Sequence, residues 1–204
     1  PDEVDDELIR VMAEEPKIVK YLDIPIQHSS SKILQLMNRR GDGKFLRDLF
    51  AKLRANIPGL VIRTSVITGL PGEGEAEFEE LCQFLKEQKL ERVGAFPFSP
   101  EEGTPAAEME HPDSDTAQQR AQMVEMIQSS IMDDYNGAMI GNTLEVLVDG
   151  YDEEYEQFYG RTVADSPDID GRVWIASDEA VPEGSFVKIC IDGLIDGDLS
   201  GYIV

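Results

Sequence analysis

Polar residues with binding chemistry interrupt an apolar stretch, LVIRTSVITGLPGE, that runs from Leu60 to Glu73. Because successive side chains of a strand point to opposite faces, Arg63, Ser65 and Gly69 fall on one side of it. A buried guanidinium needs an anionic partner. The sequence leaves two partners open: a neighbouring carboxylate of this chain, or the carboxylate of a bound ligand, which the planar guanidinium fits well.

The stretch ends in a turn, GLPGE, whose two glycines and proline are more than a simple connection between a strand and a helix requires. Gly69 allows a ligand to approach the strand closely, and Pro71 and Gly72 shape the turn. Three glutamates between positions 73 and 77 are predicted in the first turn of a helix, where they complement the helix dipole but repel a phosphate. The turn also lacks the Lys-Ser or Lys-Thr of a P-loop. These features favour a nucleoside without phosphates.

Two other polar segments follow predicted strands. In DIPIQHSS, Gln27, His28 and Ser29 can hydrogen-bond a ribose or an amino acid. Alternatively, a serine caps the next helix and His28 packs in the interior. In FPFSPEEGTPAA, Phe96 and Phe98 can stack on an aromatic base, or they can belong to the core. No Ser-His-Asp arrangement, HExxH motif or pair of catalytic carboxylates is present, so the residues describe a binding scaffold.

The elements around these segments place them at one edge of a sheet. Residues 1–139 alternate between helical and extended patterns, with strands predicted around YLDIPIQ, VIRTSVIT and RVGAFPF. Strands separated by helices pair in parallel, and ligands of such sheets collect at the carboxyl ends of the strands. Three strands are too few to close a barrel. We therefore predict a partial parallel α/β barrel, the carboxy-terminal half of a βα barrel.

The hydrophobic period changes to two from Thr143 onward. Five short extended segments separated by turn residues predict a small all-β antiparallel barrel. The predicted domains are therefore 1–139 and 140–204. A start at Pro1 without Met suggests a chain cut from something longer.

Acidity is the strongest compositional signal, with a formal net charge of −23. Residues 140–204 contain fifteen acidic and three basic side chains, a net of −12. Such a surface repels nucleic acid and attracts a basic protein, although acidity can also serve solubility alone. Cys82 and Cys190 have no second cysteine or histidine at metal-ligand spacing, which indicates no metal site and suits a reducing cytoplasm. No segment predicts a signal peptide or a membrane span.

Four segments resemble, in order, the radical S-adenosylmethionine methylthiotransferases: YLDIPIQHSSSKILQLMNR, IRTSVITGLPGEGEAEFEEL, RVGAFPFSPEEGTPAA and GRTVADSPDIDGRVWI. The resemblance implies that the first domain is the second half of a radical SAM barrel and that the last domain is an OB-like TRAM domain. It also implies that S-adenosylmethionine lies beside the GLPGE turn. The residues implied to line its pocket are Gln27, His28, Ser29, Arg63, Ser65, Gly69, Pro71, Gly72, Phe98 and Ser99.

The family has two branches, one that modifies an adenosine in transfer RNA and one that modifies an aspartate of a small-subunit ribosomal protein. The segment ADSPDIDG looks like the second branch, and the acidity of residues 140–204 favours it independently, because it complements a basic protein. The expected partner is a basic ribosomal protein, with no direct nucleic-acid binding. The expected contacts are Asp165, Asp168 and Asp170.

The family's Cys-x-x-x-Cys-x-x-Cys motif is absent from this chain, and two scattered cysteines cannot ligate an iron–sulfur cluster. The resemblance therefore implies that [4Fe-4S] clusters are held by a missing amino-terminal part that also covers the open barrel half. By itself the chain is expected to hold no catalytic residue and to be inactive. The remaining alternative is a non-catalytic acidic binding module that lost its cluster in evolution.

Overall fold

The computed structural model describes all residues, 1–204, and divides them into two compact units, Pro1–Ile131 and Met132–Val204. The predicted boundary at residue 140 lies after the helix in which the units divide. The elements of the first part of the chain are α1 (Asp6–Glu14), β1 (Tyr21–Asp23), α2 (Ser31–Leu36), α3 (Gly43–Asn56), β2 (Val61–Thr68), α4 (Glu75–Gln88), β3 (Arg92–Pro97), a 3₁₀ turn (Pro105–Glu108) and α5 (Ser114–Gly137).

The first unit contains a three-stranded sheet in the order β1-β2-β3. Both pairs are parallel, as the alternation of strand and helix patterns predicts. β1 is shorter than the predicted strand, but the chain returns to β2 at an isolated parallel bridge between Gln27 and Val66. Three segments therefore end at one edge of the sheet, the edge at which polar residues follow the strands.

The two faces of this sheet differ. Ile62 and Val66 of β2 belong to an apolar core to which α3 and α4 contribute Phe50, Leu53, Leu81, Phe84 and Leu85. The opposite face, which we call the open face, carries residues that share a register across the strands and are not fully buried: Asp23, Arg63, Ser65, Ile67, Gly94 and Phe96. Parallel sheets in α/β proteins usually have both faces covered. The open face is therefore the side of the sheet that remains available to a ligand or to further chain.

The second unit contains β4 (Thr143–Asp152), β5 (Gln157–Arg161), β6 (Val173–Ala176), β7 (Phe186–Ile195) and β8 (Asp198–Ile203). These strands pair in the order β4-β5-β6-β8-β7, and β7 returns to β4, so the sheet closes. The predicted all-antiparallel arrangement is wrong at one pair, because β6 and β8 are parallel. A ring of five strands cannot alternate direction throughout, since an odd number of alternations leaves one neighbouring pair parallel.

Valine and isoleucine side chains fill the interior of the closed sheet, with Val146, Val173, Ile175, Ile189 and Ile191 at or below 1% exposure. The single tryptophan, Trp174, is buried on the other side of β6, where Tyr155 stacks on it with ring centroids 4.4 Å apart. None of the chain's helices combines the length and the apolar character that crossing a membrane would take.

Candidate functional site

The segment after β1 and the strand β2 are joined through Gln27. The backbone N–H of Gln27 donates to the carbonyl of Ser65 at 2.9 Å, and the N–H of Ile67 donates to the carbonyl of Gln27 at 2.8 Å. Gln27 has a φ of +68°, a left-handed conformation that costs energy for a residue with a Cβ atom. The structure thus brings Gln27 and Ser65 together, and it holds Gln27 in a strained conformation at the carboxyl edge of the sheet.

The glutamate that closes the GLPGE turn is not part of the following helix. The sequence placed Glu73 in the first helical turn, but α4 begins at Glu75, and Glu77 accepts a hydrogen bond from the N–H of the N-cap residue Gly74. Glu73 precedes the cap, and its side chain is completely buried. Its Oε1 accepts a hydrogen bond from the N–H of Gly69 at 2.9 Å. The carboxylate turns inward because the strand has ended and this buried N–H needs an acceptor.

Two cationic or polar side chains from distant elements meet the Glu73 carboxylate. Nη1 of Arg120, on α5, donates to Oε1 of Glu73 at 2.8 Å and to its carbonyl at 3.1 Å. Nε2 of His28 lies 3.3 Å from Oε2, within ion-pair distance, but the atoms are too poorly aligned for a hydrogen bond. Nδ1 of His28 accepts from the N–H of Ser30 at 2.9 Å, which assigns the ring proton to Nε2. His28 is also completely buried, so it packs in the interior.

Opposing influences set the pKa of Glu73. Burial raises it, whereas His28, the N–H of Gly69 and Arg120 lower it, and the net result is a pKa below the ordinary value. Glu73 is therefore ionised at neutral pH. A buried and ionised carboxylate orients the groups that donate hydrogen bonds to it.

The two glycines of the turn have different surroundings: Gly69 faces Cβ and backbone atoms of a helix residue, whereas Gly72 faces the flexible end of a side chain. A Cβ atom on Gly69 would lie 2.4 Å from Cβ of Ala117 on α5, and one on Gly72 would lie 2.6 Å from Cδ1 of Leu36. Pro71 between them is buried. The close approach of α5 and the φ of +76° both favour glycine at position 69.

Arg63 lies away from the turn. It forms an ion pair with Asp23 of β1, and its side chain is 18% exposed. Of the two partners left open by the sequence, the neighbouring carboxylate is present. Arg63 precedes the end of β2 by five residues, which corresponds to about 16 Å of strand. Ser65 lies between Arg63 and the end of β2, opposite Gly94 in the register of β2 and β3.

The segment after β3 reaches the same edge. The N–H of Phe98 donates to the carbonyl of Thr68 at 2.8 Å, and Ser99 is exposed. The Phe98 ring packs edge-on against His111, with centroids 5.2 Å apart. The sequence gave no reason to pair these two rings, because His111 lies in a proline-rich segment without periodicity.

The three aspartates predicted to contact a partner lie in one loop with different roles. Asp165 accepts hydrogen bonds from the N–H and hydroxyl of Thr162, and Asp170 accepts from the N–H of Ser166 at 2.8 Å. Asp168 is exposed. The loop borders a groove of about 460 Å³, which we call the loop groove, lined by residues that include Asp149, Tyr159, Arg161, Asp168, Asp170 and Arg172.

The basic residues of the second unit do not form a continuous positive surface. Arg161 forms an ion pair with Asp149, and Nη1 of Arg172 lies 3.8 Å from Oδ2 of Asp152. Lys188 is opposite Glu145 in the register of β4 and β7. Both arginines are therefore paired and the lysine lies opposite a glutamate, and the other twelve acidic side chains of residues 140–204 give this part of the chain its charge.

The chain offers no ligand set for a metal. No group of three His, Cys, Asp or Glu side chains is arranged to hold an ion. Cys82 lies in one unit and Cys190 in the other, and burial raises the pKa of the Cys82 thiol, which disfavours the thiolate that clusters require. The carboxyl edge fits an amino acid or a ribose better. There, Ser29 lies two residues after the strained Gln27, and its buried hydroxyl has no hydrogen-bond partner in the protein.

Comparison with known proteins relates the two parts of the chain to known families. The family model of the radical SAM superfamily matches residues 1–85, and that of the TRAM domain matches residues 140–204. Over its whole length the chain is similar to the carboxy-terminal part of radical S-adenosylmethionine methylthiotransferases, as the resemblance implied. Proteins named ribosomal protein uS12 methylthiotransferase RimO are similar to the whole chain. Those of Anaeromyxobacter sp. strains Fw109-5 and K are 46% and 47% identical, and that of Acetivibrio thermocellus is 40% identical.

These matches cover 100% of this chain but only 44–45% of the relatives, so the chain spans less than half of their length. Among solved structures, coproporphyrinogen III oxidase (HemN) of Escherichia coli, described as a radical SAM enzyme, matches with a TM-score of 0.47. It is 18% identical, and the match covers 55% of this chain and 27% of that one.

Proposed function

We propose that this chain is the carboxy-terminal part of a radical SAM methylthiotransferase that adds a methylthio group to the β-carbon of an aspartate in a small-subunit ribosomal protein. The observation that carries the proposal is 46% identity over the entire chain to a protein named ribosomal protein uS12 methylthiotransferase. Because the chain spans 44% of that relative, the [4Fe-4S] clusters belong to the remainder of the protein. The working enzyme is cytoplasmic.

The first unit contributes the half-barrel edge that receives S-adenosylmethionine, which supplies the radical chemistry of this family when it is bound. Gln27, Ser29 and Ser65 offer amide and hydroxyl groups to its amino acid and ribose, and the backbone of the turn at Pro71 shapes the adjoining wall. The burial and ionisation of Glu73 support a scaffolding role. This chain supplies binding and orientation, and none of its side chains acts as an acid or a base.

The second unit contains an OB-like TRAM domain over residues 140–204, which docks the basic substrate protein. The net charge of −12 over these residues supports this role, since it attracts a cationic polypeptide and repels an RNA backbone. The loop groove carries exposed Asp168 beside Arg161 and Arg172, each of which already faces an aspartate. The alternative, a transfer-RNA substrate, would need unmatched basic side chains on this unit.

A binding experiment at two salt concentrations tests the proposal. The full chain is titrated with the basic ribosomal protein and with transfer RNA. We expect measurable affinity for the protein that weakens as salt rises, and little affinity for the RNA. Asp168→Asn should weaken protein binding about threefold, whereas Asp178→Asn, the same charge change at another exposed position of the module, should have less effect.

Tight RNA binding with a steep salt dependence would instead assign the chain to the transfer-RNA branch. A full-length protein that lacks a cysteine triad upstream of this segment, and that binds the basic protein without modifying it, would establish the non-catalytic acidic module.

A further inference from the structure

A single buried carboxylate connects the two segments proposed to hold the cofactor. Glu73 accepts the N–H of Gly69 at the start of the turn, and it lies 3.3 Å from Nε2 of His28. His28 in turn follows the strained residue Gln27 and accepts a hydrogen bond from the N–H of Ser30. The conformations of the segment after β1 and of the turn after β2 therefore depend on the same charged group.

The charge that balances this carboxylate comes from α5, outside both segments. The Arg120 side chain is 8% exposed, and its guanidinium contacts Oε1 and the carbonyl of Glu73 with one nitrogen and Glu75 with the other, at 2.6 Å. A guanidinium fixed on two carboxylates holds them in a defined orientation. Without Arg120, the Glu73 carboxylate would be an uncompensated buried charge, which is strongly unfavourable and would turn outward or take up a proton.

We infer that Arg120 is a positioning residue for the cofactor-binding edge: by fixing Glu73 it holds the GLPGE turn and the His28 segment in the arrangement that S-adenosylmethionine requires. This inference rests on the proposed function. Arg120 contacts no group proposed to touch the cofactor, so it acts through Glu73.

The same helix provides a matched control. Gln128 of α5 is also buried, and its Nε2 donates to the carbonyls of Leu90 and Glu91, at 3.2 and 3.0 Å. These carbonyls precede β3, at the amino end of the strands, away from the turn. Loss of either side chain removes a buried polar contact between α5 and the rest of the unit, but only the loss of Arg120 affects the carboxyl edge.

The test compares Arg120→Gln with Gln128→Met in the full-length enzyme that carries this segment. The readouts are the dissociation constant of S-adenosylmethionine, measured by calorimetry without turnover, and the midpoint of urea unfolding. We expect both variants to unfold at lower urea. Arg120→Gln should raise the dissociation constant roughly ten- to hundredfold, as misplacement of a supporting group does. Gln128→Met should leave it within about twofold.

Two further variants make the outcome decisive. In the double variant Arg120→Gln, Glu73→Gln, no uncompensated charge remains, and the side-chain oxygen of the introduced glutamine can still accept the N–H of Gly69. It should therefore bind S-adenosylmethionine more tightly than Arg120→Gln alone. Arg120→Lys keeps the charge but not the two-pronged contact, and should show an affinity between those of the wild type and Arg120→Gln. If Arg120→Gln does not fold, Arg120→Lys replaces it in the comparison with Gln128→Met.

Affinity for S-adenosylmethionine that falls equally in Arg120→Gln and Gln128→Met, or that is unchanged in both, would overturn the inference and leave Arg120 a purely structural residue. Failure of the wild-type enzyme to bind S-adenosylmethionine would count against the proposed function instead.

Discussion

Gly69 and Ala117 approach each other so closely that a Cβ atom on Gly69 would lie 2.4 Å from Cβ of Ala117. Gly69 also has a φ of +76°, which disfavours a residue with a side chain. Replacement of Gly69 by alanine therefore combines backbone strain with overpacking between the turn and α5. We expect Gly69→Ala to lower the free energy of unfolding by about 3 kcal/mol, measured by urea denaturation.

Gly59 separates these two contributions. It has a nearly identical φ of +74°, but no atom lies within 4 Å of the position its Cβ would take. Gly59→Ala should therefore cost only the backbone term, about 1 kcal/mol. Equal losses for the two variants would show that α5 does not restrict position 69.

The depressed pKa of Glu73 predicts an acid-sensitive contribution to stability. Because the native pKa lies below the ordinary value of 4.5, the ionised carboxylate stabilises the fold fully above about pH 4.5. This contribution is lost as the pH falls through the lower native pKa. We expect Glu73→Gln to be less stable than wild type at pH 7, and the difference in free energy of unfolding to shrink as the pH is lowered below 4.5.

Glu79→Gln is the control, since it makes the same chemical change on an exposed position of α4. It should remain close to wild type across the whole pH range. A stability difference for Glu73→Gln that does not vary with pH would mean that the loss comes from packing and not from the ionised carboxylate.

Periodicity predicted the strands and the helices, because each of these is a local pattern, and their alternation predicted the parallel pairing of the first sheet. Glu73 was missed for a different reason. Gly74 followed three residues later by Glu77 is a usable helix-start signal, which places Glu73 before the helix, but helix boundaries shift by one or two residues in any assignment. Its partner Arg120 lies 47 positions away on α5, and no local pattern reveals such a pairing.

Arg63 shows a second limit of sequence reasoning. The pattern established that this guanidinium needs an anion, but a ligand and Asp23 satisfy the same requirement. The structure identifies the partner, because the register of β1 and β2 sets Asp23 opposite Arg63 and the two side chains form an ion pair. The parallel pair β6–β8 was missed because strand order, unlike strand position, is not recorded in local periodicity.

Because Gln27 has a left-handed conformation, we expect its replacement by glycine to change stability and cofactor binding in opposite directions. Gln27→Gly should relieve the strain at φ +68° and leave the fold equally stable or up to about 1 kcal/mol more stable. The same change removes the side-chain amide proposed to contact the cofactor, so affinity for S-adenosylmethionine in the full-length enzyme should fall.

Lys89→Gly is its control, because Lys89 also has a positive φ, of +45°, at the end of α4. It should give a similar gain in stability with no change in cofactor affinity. If Gln27→Gly retained wild-type affinity, the strain at this position would have no connection with cofactor binding.

Trp174 reports on the aromatic cluster of the second unit. The guanidinium of Arg172 lies 5.2 Å from the Trp174 ring and 4.7 Å from that of Tyr159. Arg172→Ala should expose the indole, shift its fluorescence to longer wavelength and lower stability by about 0.5 kcal/mol, as expected for a partly exposed cation–π contact. Arg161→Ala, which removes an arginine paired with Asp149, should leave the emission unchanged.

The same two variants test whether charge alone attracts the substrate. Each makes the module of residues 140–204 more negative by one unit, from −12 to −13. If long-range attraction governs docking, both should bind the basic ribosomal protein about twofold more tightly at low salt, and the gain should disappear as salt screens the field.

If the loop groove instead uses its arginines to bind phosphates, both variants should lose affinity for transfer RNA, and the slope of that affinity against salt should become shallower. A titration of each variant with both partners therefore distinguishes the two branches through changes of opposite sign.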